Sequence, residues 1–154
     1  MLSPRNIIYG KCLTTNPPKN KYLISLYRSN DLNVVACFTT SQSRAGVPLS
    51  QVQHGKIKDK KNNVISYCFK ADINIGNCPD GTSFAFSLDT TIVFDYCFQE
   101  QFQDKLLSNF EHPNVVCTLN DDEYLDLIYA MYQSKTTNKG YKTIFENILN
   151  NECS

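Results

Sequence analysis

Hydrophobic and polar residues alternate over short stretches in the first two-thirds of the chain, and this period of two is typical of β-strands. The predicted strands cover residues 6–13, 21–28, 33–39, 64–69, 82–88 and 91–97. Ser29-Asn30-Asp31 has turn chemistry, so the second and third strands are predicted to pair as an antiparallel hairpin. A largely sequential set of six short strands usually closes into a small barrel or a strongly bent sheet.

The hydrophobic period changes to about four after the last predicted strand. The repeating positions are Phe98, Phe102, Leu106 and Phe110. They predict a helix that ends at Pro113, because one face of a helix repeats every three to four residues. An acidic capping sequence at residues 120–123 predicts a second helix, and apolar positions between 141 and 149 predict a third. Strands followed by helices predict an α+β fold.

A polar stretch separates the third and fourth predicted strands. It runs from residue 40 to 63 and contains a lysine-rich segment at 56–61. We expect a long, mobile loop with at most one poor strand inside it. Loops of that length in compact domains are often functional or disordered.

Charge is divided unevenly along a chain whose net charge is zero. Residues 1–80 contain eleven Lys and Arg and four acids, which gives +7, and residues 81–154 contain four Lys and eleven acids, which gives −7. Two interpretations are open. The basic half attracts a polyanion, or the two halves attract each other in the folded protein.

Composition argues against several classes of protein. Apolar runs are too short to span a membrane, and no signal-peptide stretch follows Met1, so we expect a cytoplasmic protein without a membrane partner. The seven cysteines form no C-x-x-C pair, which predicts buried free thiols and no metal site. The chain contains no P-loop, dinucleotide-binding, zinc-protease or nucleophile-elbow motif, and we expect no cofactor.

Cations and hydroxyl groups gather at the open end of the predicted hairpin. Lys19 and Lys21 open its first strand, and Thr39, Thr40, Ser41 and Arg44 leave its second. Counted outward from the turn, Lys21 falls roughly opposite Thr39 or Thr40. Such a group is suited to binding a phosphate, although a solvated loop rich in Ser and Thr has the same composition.

Three stretches carry a resemblance to a known family. They are KYLISLYR at 21–28, VVACFTTS at 34–41, and SFAFSL at 83–88 followed by TIVFD at 91–95. Over residues 6–110 this layout resembles the MazF/PemK/Kid-like toxins of toxin–antitoxin systems. The resemblance implies a small SH3-like antiparallel β-barrel with its first helix over residues 1–112, and a C-terminal helical extension at 113–154 packed on the same domain.

The resemblance also implies an activity. The protein would be a homodimeric, metal-independent endoribonuclease that cleaves single-stranded RNA through 2′-hydroxyl attack and is neutralised by an antitoxin protein. Lys21 would replace the active-site arginine of the family. Thr39 or Thr40, with Ser41, would match its catalytic or phosphate-binding hydroxyl.

The remaining candidate residues follow from the chemistry that RNA cleavage needs. His54, in the basic loop, has a suitable unperturbed pKa for acid–base work, and Asp95 is a second candidate base. Lys19 and Arg44 would bind phosphate, and Tyr27 would stack on a base. The alternative is a non-catalytic SH3-like binding module, either a degenerate toxin or an accessory protein. It is favoured by the lack of an arginine in residues 95–100, where the family has one.

Overall fold

The computed structural model describes residues 1–41 and 52–153, with side chains as far as Glu152. The strands are β1 (Asn6–Cys12), β2 (Lys19–Arg28), β3 (Asn33–Phe38), β4 (Gly55–Lys58), β5 (Val64–Phe69), β6 (Gly76–Asn77), β7 (Ser83–Phe84), β8 (Thr90–Val93), β9 (Phe98–Phe102) and β10 (Phe110–Leu119). The helices are α1 (Gln103–Leu107), α2 (Asp121–Gln133) and α3 (Lys139–Cys153). The predicted α+β class, with antiparallel sheets followed by C-terminal helices, is confirmed.

The chain forms two compact units, and each is assembled from three separate segments. Unit 1 comprises Met1–Thr39, Asn74–Phe84 and Phe98–Asn120, and unit 2 comprises Thr40–Ile73, Ala85–Cys97 and Asp121–Ser154. The chain therefore alternates between the units along its length.

Unit 1 is built on a seven-stranded sheet in the order β7-β6-β10-β1-β2-β3-β9. The predicted hairpin is confirmed as β2 and β3, which pair antiparallel with Leu23 opposite Phe38. Side chains on one face of the sheet, including Ile8, Leu23 and Val34, join Leu106 of α1 in a buried apolar cluster. Alternation with a period of two puts these residues on one face, and burial of that face stabilises the sheet.

The helix predicted between residues 98 and 110 is wrong for most of its length. Phe98 and Phe102 lie in β9, only Gln103–Leu107 is helical, and Phe110 begins β10. A repeat of four is also a multiple of two, so the same residues share one face of a strand. Pairing of β9 with β3 decides the outcome here.

Pro113 does not end a helix, and that prediction is also wrong. It lies inside β10 where the register with β1 shifts between Tyr9 and Lys11. His112 beside it has a φ of 53°. An irregularity in the ladder is where a strand can hold a residue that has no backbone N–H.

Unit 2 combines a three-stranded sheet, ordered β4-β5-β8, with the two long helices. Both predicted helices are confirmed. Helix α2 begins with three acidic residues and buries Tyr124, Leu127, Ile128 and Met131, as its periodicity predicts. Strand β4 lies in the stretch predicted as a loop with one poor strand, and residues 42–51 of that stretch lie outside the described residues.

Neither sheet closes on itself in the described part of the chain: the strand orders begin and end at different strands. None of the described helices combines the length and apolar character that a membrane span requires.

Candidate functional site

The first candidate site is the end of the β1–β2–β3 ribbon in unit 1, where Lys19 and Lys21 lie. Lys21 is opposite Gly10 of β1, and Lys19 is opposite Cys12. Lys19 is exposed and Lys21 is half-buried. The Nζ atom of Lys21 lies 5.4 Å from the centroid of the Phe38 ring, so the cation contacts an aromatic face.

Thr39 lies beside this cation in the sheet, but its side chain belongs to the other face. Its backbone N–H donates to the Tyr22 carbonyl at 3.3 Å, which continues the β2–β3 ladder by one residue. Successive side chains of a strand point to opposite faces. Lys21 lies on the Phe38 face, and Thr39, the next residue after Phe38, therefore shares the Tyr22 face. The structure does not bring the Lys21 and Thr39 side chains onto one face.

A pair of tyrosines in tilted contact occupies that second face. Tyr9 and Tyr22 are directly opposite each other on β1 and β2, and their ring centroids are 4.5 Å apart at an angle of 40°. Burial, with the neighbouring Tyr9 phenol, raises the pKa of Tyr22, so its hydroxyl stays protonated at neutral pH. Lys11 follows two residues after Tyr9 on the same strand and is exposed. We call Tyr9, Tyr22, Lys11 and Thr39 the tyrosine face.

Sequence reasoning missed the tyrosine face because it treated residues 6–13 only as an apolar strand. Alternation within residues 21–28 gives Tyr22 no partner on the strand predicted at 6–13. Predicting that the first two strands pair with Tyr9 opposite Tyr22 would have brought the two tyrosines together.

The other predicted site residues are distributed as follows. Thr40 belongs to unit 2, where its backbone exchanges two hydrogen bonds of 2.7 Å with Thr91. Ser41, also in unit 2, is exposed. Tyr27 is half-buried on β2 opposite Val35. The prediction for Arg44 lies outside the described residues.

The second candidate site surrounds His54 in unit 2. Its Nδ1 atom accepts a hydrogen bond of 3.0 Å from the backbone N–H of Lys70. Because Nδ1 is an acceptor, the proton of the neutral ring is on Nε2. The Nε2–H group donates to the Glu123 carboxylate, whose two oxygens lie 2.8 and 3.0 Å away. Both imidazole nitrogens are therefore engaged within the unit.

Glu123 connects this histidine to a buried tyrosine. Glu123 is 9% exposed, and it also accepts a hydrogen bond from the hydroxyl of Tyr67, which is 1% exposed. Burial, and then the hydrogen bond to Glu123, raise the pKa of Tyr67 far above its ordinary value. Tyr67 is consequently a permanent donor, and a buried carboxylate with two donors is well stabilised. We call His54, Glu123 and Tyr67 the histidine cluster.

A small cleft of about 250 Å³ lies beside the histidine cluster. It is lined by Gly55, Lys56, Tyr67, Asp126 and Tyr129. The Lys56 ammonium lies 3.2 Å from Gln133 Oε1 and 5.6 Å from the centroid of the Tyr129 ring. Ligand pockets usually exceed about 300 Å³, and this cleft is smaller than that.

Metal ligands are not grouped in the described residues: among them, no three His, Cys, Asp or Glu side chains come together in a way that could hold an ion. The comparisons with known proteins also give no assignment. No protein-family model, curated protein or solved structure matches this chain.

Proposed function

We propose that this protein is a metal-independent endoribonuclease of the MazF/PemK/Kid toxin type, which cleaves single-stranded RNA and is neutralised by an antitoxin. An SH3-like scaffold and a homodimer belong to the same proposal. The observation that carries it is the composition of the ribbon end. Two tyrosine rings in tilted contact and three lysines occupy the four successive pairs of the β1–β2 register from Tyr9–Tyr22 to Cys12–Lys19, and Thr39 follows β3 opposite Tyr22.

These groups are the ones that single-stranded RNA requires of a protein. Unpaired bases stack on aromatic rings, and each stacked base contributes about 1–3 kcal/mol. Lysines bind phosphates with an affinity that falls as the salt concentration rises. Tyr9 and Tyr22 supply the rings, and Lys11 supplies a cation on the same face. Lys19 and Lys21 supply cations on the opposite, Phe38 face at the same end of the ribbon.

Cleavage would use the RNA itself as the nucleophile. The ribose 2′-oxygen attacks the adjacent phosphorus, the 5′-oxygen leaves with a proton, and a 2′,3′-cyclic phosphate remains. Lys21 would stabilise the additional negative charge as a point cation. His54 is a poor base in the arrangement described, because both of its nitrogens are engaged.

The same observation favours a second candidate, an SH3-like module that binds RNA without cleaving it. The tyrosine face offers its rings and its cation to RNA whether or not the protein has a side chain that can accept a proton. A binding module needs no group to accept the 2′-hydroxyl proton. The two candidates therefore share a binding surface and differ in chemistry.

The experiment that tests the proposal is incubation of the purified full chain with mixed-sequence RNA in EDTA, followed by analysis of the 3′ ends. We expect 2′,3′-cyclic phosphate ends. They should be lost in Lys21→Ala and retained in Lys60→Ala, which removes an exposed lysine from the turn between β4 and β5. Cleavage by Lys21→Ala at the wild-type rate would overturn the role of Lys21.

Binding is measured in parallel by fluorescence anisotropy with a short labelled RNA. Intact RNA that binds, with weaker binding by Tyr22→Leu, would support the non-catalytic module and exclude the nuclease. Absence of both binding and cleavage by the folded protein would exclude both candidates.

A further inference from the structure

Two cysteines lie next to the last pair of the β6–β10 ladder in unit 1: Cys78 follows β6, and Cys117 lies in β10. The ladder pairs Gly76 with Leu119 and Asn77 with Thr118 in antiparallel register. The next pair in that register is Cys78 with Cys117. Both are free thiols.

The two side chains share one face of the sheet. Cys78 is two residues from Gly76, and Cys117 is two residues from Leu119, so alternation places both on the face of the Gly76–Leu119 pair. Directly opposed residues of antiparallel strands have Cα atoms about 4.5–5.5 Å apart, which is within the range of about 4.4–6.8 Å that disulfides use.

Gly76 provides the space in which the Cys117 thiol lies. A Cβ atom on Gly76 would be 2.8 Å from Cys117 Sγ, closer than side chains can approach. The thiol therefore lies over the seam between β6 and β10, and a change of its side-chain rotamer directs it along the seam toward Cys78.

We propose that Cys78 and Cys117 form a redox pair, which a peroxide converts into a cross-strand disulfide. This modification site is independent of the proposed ribonuclease activity. No other cysteine in the described ladders has a cysteine opposite it: Cys12 is paired with Phe110 and Lys19, Cys37 with Ile24 and Phe98, and Cys68 with Gly55 and Thr91.

The exposure of the two thiols assigns their roles. Cys78 is half-buried, and its thiol donates only a long hydrogen bond of 3.8 Å to the Ser83 carbonyl. Cys117 is fully buried. Burial, with the neighbouring Cys78 thiol, raises the pKa of Cys117 to about 12. Cys78 is therefore the thiol that peroxide reaches, and Cys117 is the resolving thiol.

The reaction balances in two steps. The Cys78 sulfur attacks a peroxide oxygen, the O–O bond breaks, and Cys78 sulfenic acid and one water form. The Cys117 sulfur then attacks the Cys78 sulfur, the S–O bond breaks, and the hydroxide leaves with the Cys117 proton as a second water. Two electrons pass from the two thiols to the peroxide, and the S–S bond is the product.

The test is treatment of the folded full chain with one equivalent of hydrogen peroxide, followed by alkylation, proteolysis and mass spectrometry. We expect a peptide that links Cys78 to Cys117, lighter by two hydrogens than the two free peptides and separated again by dithiothreitol. Cys78→Ser should abolish the link, and Cys12→Ser should retain it. Cys78 is a suitable position for substitution because it is not in the core, and a thermal melt of the variant verifies its fold.

Three results would overturn the proposal. They are Cys78 oxidised to sulfinic acid while Cys117 remains a thiol, links that join other cysteines at equal yield, and a Cys78–Cys117 link that forms only in denaturant. In the last case the folded register does not bring the thiols together.

Discussion

The tyrosine face of unit 1 and the histidine cluster of unit 2 both contain residue types that often carry chemistry, yet they differ in what their polar atoms contact. The Tyr9 and Tyr22 rings contact each other, and Lys11 beside them is exposed. His54, Glu123 and Tyr67 contact each other through every hydrogen bond that the imidazole and the phenol can donate. The difference teaches that the residue type selects a candidate, while the partners of its polar atoms decide whether it is available to a ligand.

The two units also differ in the contacts that stabilise them. In unit 1, β6 is held against β10 by close backbone approach at Gly76. In unit 2, a hydrogen bond connects Tyr67 of β5 to Glu123 of α2, and an ion pair connects Lys70, which follows β5, to Asp89. Substitutions that add volume at Gly76 should therefore destabilise unit 1, and substitutions that remove charge from the polar contacts should destabilise unit 2.

Gly76→Ala should have the largest effect. Its Cβ atom would lie 2.2 Å from the Thr118 carbonyl oxygen and 2.9 Å from Leu119 Cα, and neither backbone atom can move without disturbing β10. We expect the free energy of unfolding, measured in urea, to fall by about 3 kcal/mol. The matched control is Gly140→Ala in α3, whose nearest contact would be 3.4 Å, and it should not destabilise the protein. A wild-type midpoint for Gly76→Ala would contradict the close packing of this seam.

Glu123→Gln should be next. The amide keeps one acceptor oxygen, but it directs an NH₂ group toward a donor, so either the His54 Nε2–H or the Tyr67 hydroxyl loses its acceptor. We expect a loss of about 2 kcal/mol in chemical denaturation. Asp122→Asn, an exposed acid in the same first turn of α2, is the control and should cost about 0.5 kcal/mol. Equal effects of the two substitutions would argue against the histidine cluster as a stabilising network.

Asp89→Asn should have a smaller effect that depends on pH. The Asp89 carboxylate accepts from the Lys70 ammonium and from the Ala71 N–H, each at 2.8 Å, and the bond from Lys70 lowers its pKa below the ordinary 3.8. Because the pKa is lower in the folded state, the stabilisation is present above the ordinary value and is lost as pH falls through the folded value. We expect a difference of about 1 kcal/mol from wild type at pH 7, which shrinks below about pH 4.

The pH dependence is measured by urea unfolding of both proteins from pH 7 to pH 2.5. Lys70→Met, combined with Asp89→Asn in a double-mutant cycle, isolates the contribution of the ion pair. If the difference in unfolding free energy between wild type and Asp89→Asn grew as the pH fell, the sign would be opposite and the lowered pKa of Asp89 would be refuted.

Lys11→Gln should have the smallest effect on stability, and it should also change the salt dependence of RNA affinity. Lys11 is exposed, so the free energy of unfolding should change by less than about 0.5 kcal/mol. If the tyrosine face binds RNA, the slope of log affinity against log salt should fall by about 0.7 for the lost phosphate contact. Lys60→Gln is the matched exposed control, and an equal loss of slope in both variants would place the RNA elsewhere.

Much of the fold could be predicted because its patterns have one interpretation. The β2–β3 hairpin has alternating strands with a polar turn, and α2 has an acidic start and a stripe of period 3.6. The segment 98–110 has two interpretations, since its spacing of four fits a helix face and a strand face equally. The choice is made by β3, which is distant in sequence and pairs with β9.

The sequence indicates where along the chain the candidate site lies, but it does not indicate on which face of the sheet each side chain lies. Placing Lys21 opposite either Thr39 or Thr40 leaves an error of one residue, and a shift of one residue moves a side chain to the other side of a sheet. The histidine cluster carried no local signal, because Glu123 is 69 residues from His54 and was predicted only as part of a helix cap.

The interleaving of the two units has a consequence for synthesis on the ribosome. The chain passes between the units five times, and β10, the partner of β1, is the last strand to be made. Until residue 119 has left the exit tunnel, β1 and β6 have no strand between them and one edge of β1 stays open. Unit 1 is therefore complete only after the first two segments of unit 2 have been made, and unit 2 is completed last, by Asp121–Ser154. Neither unit can be cut out by truncation at a single boundary or joined to another gene as one continuous cassette.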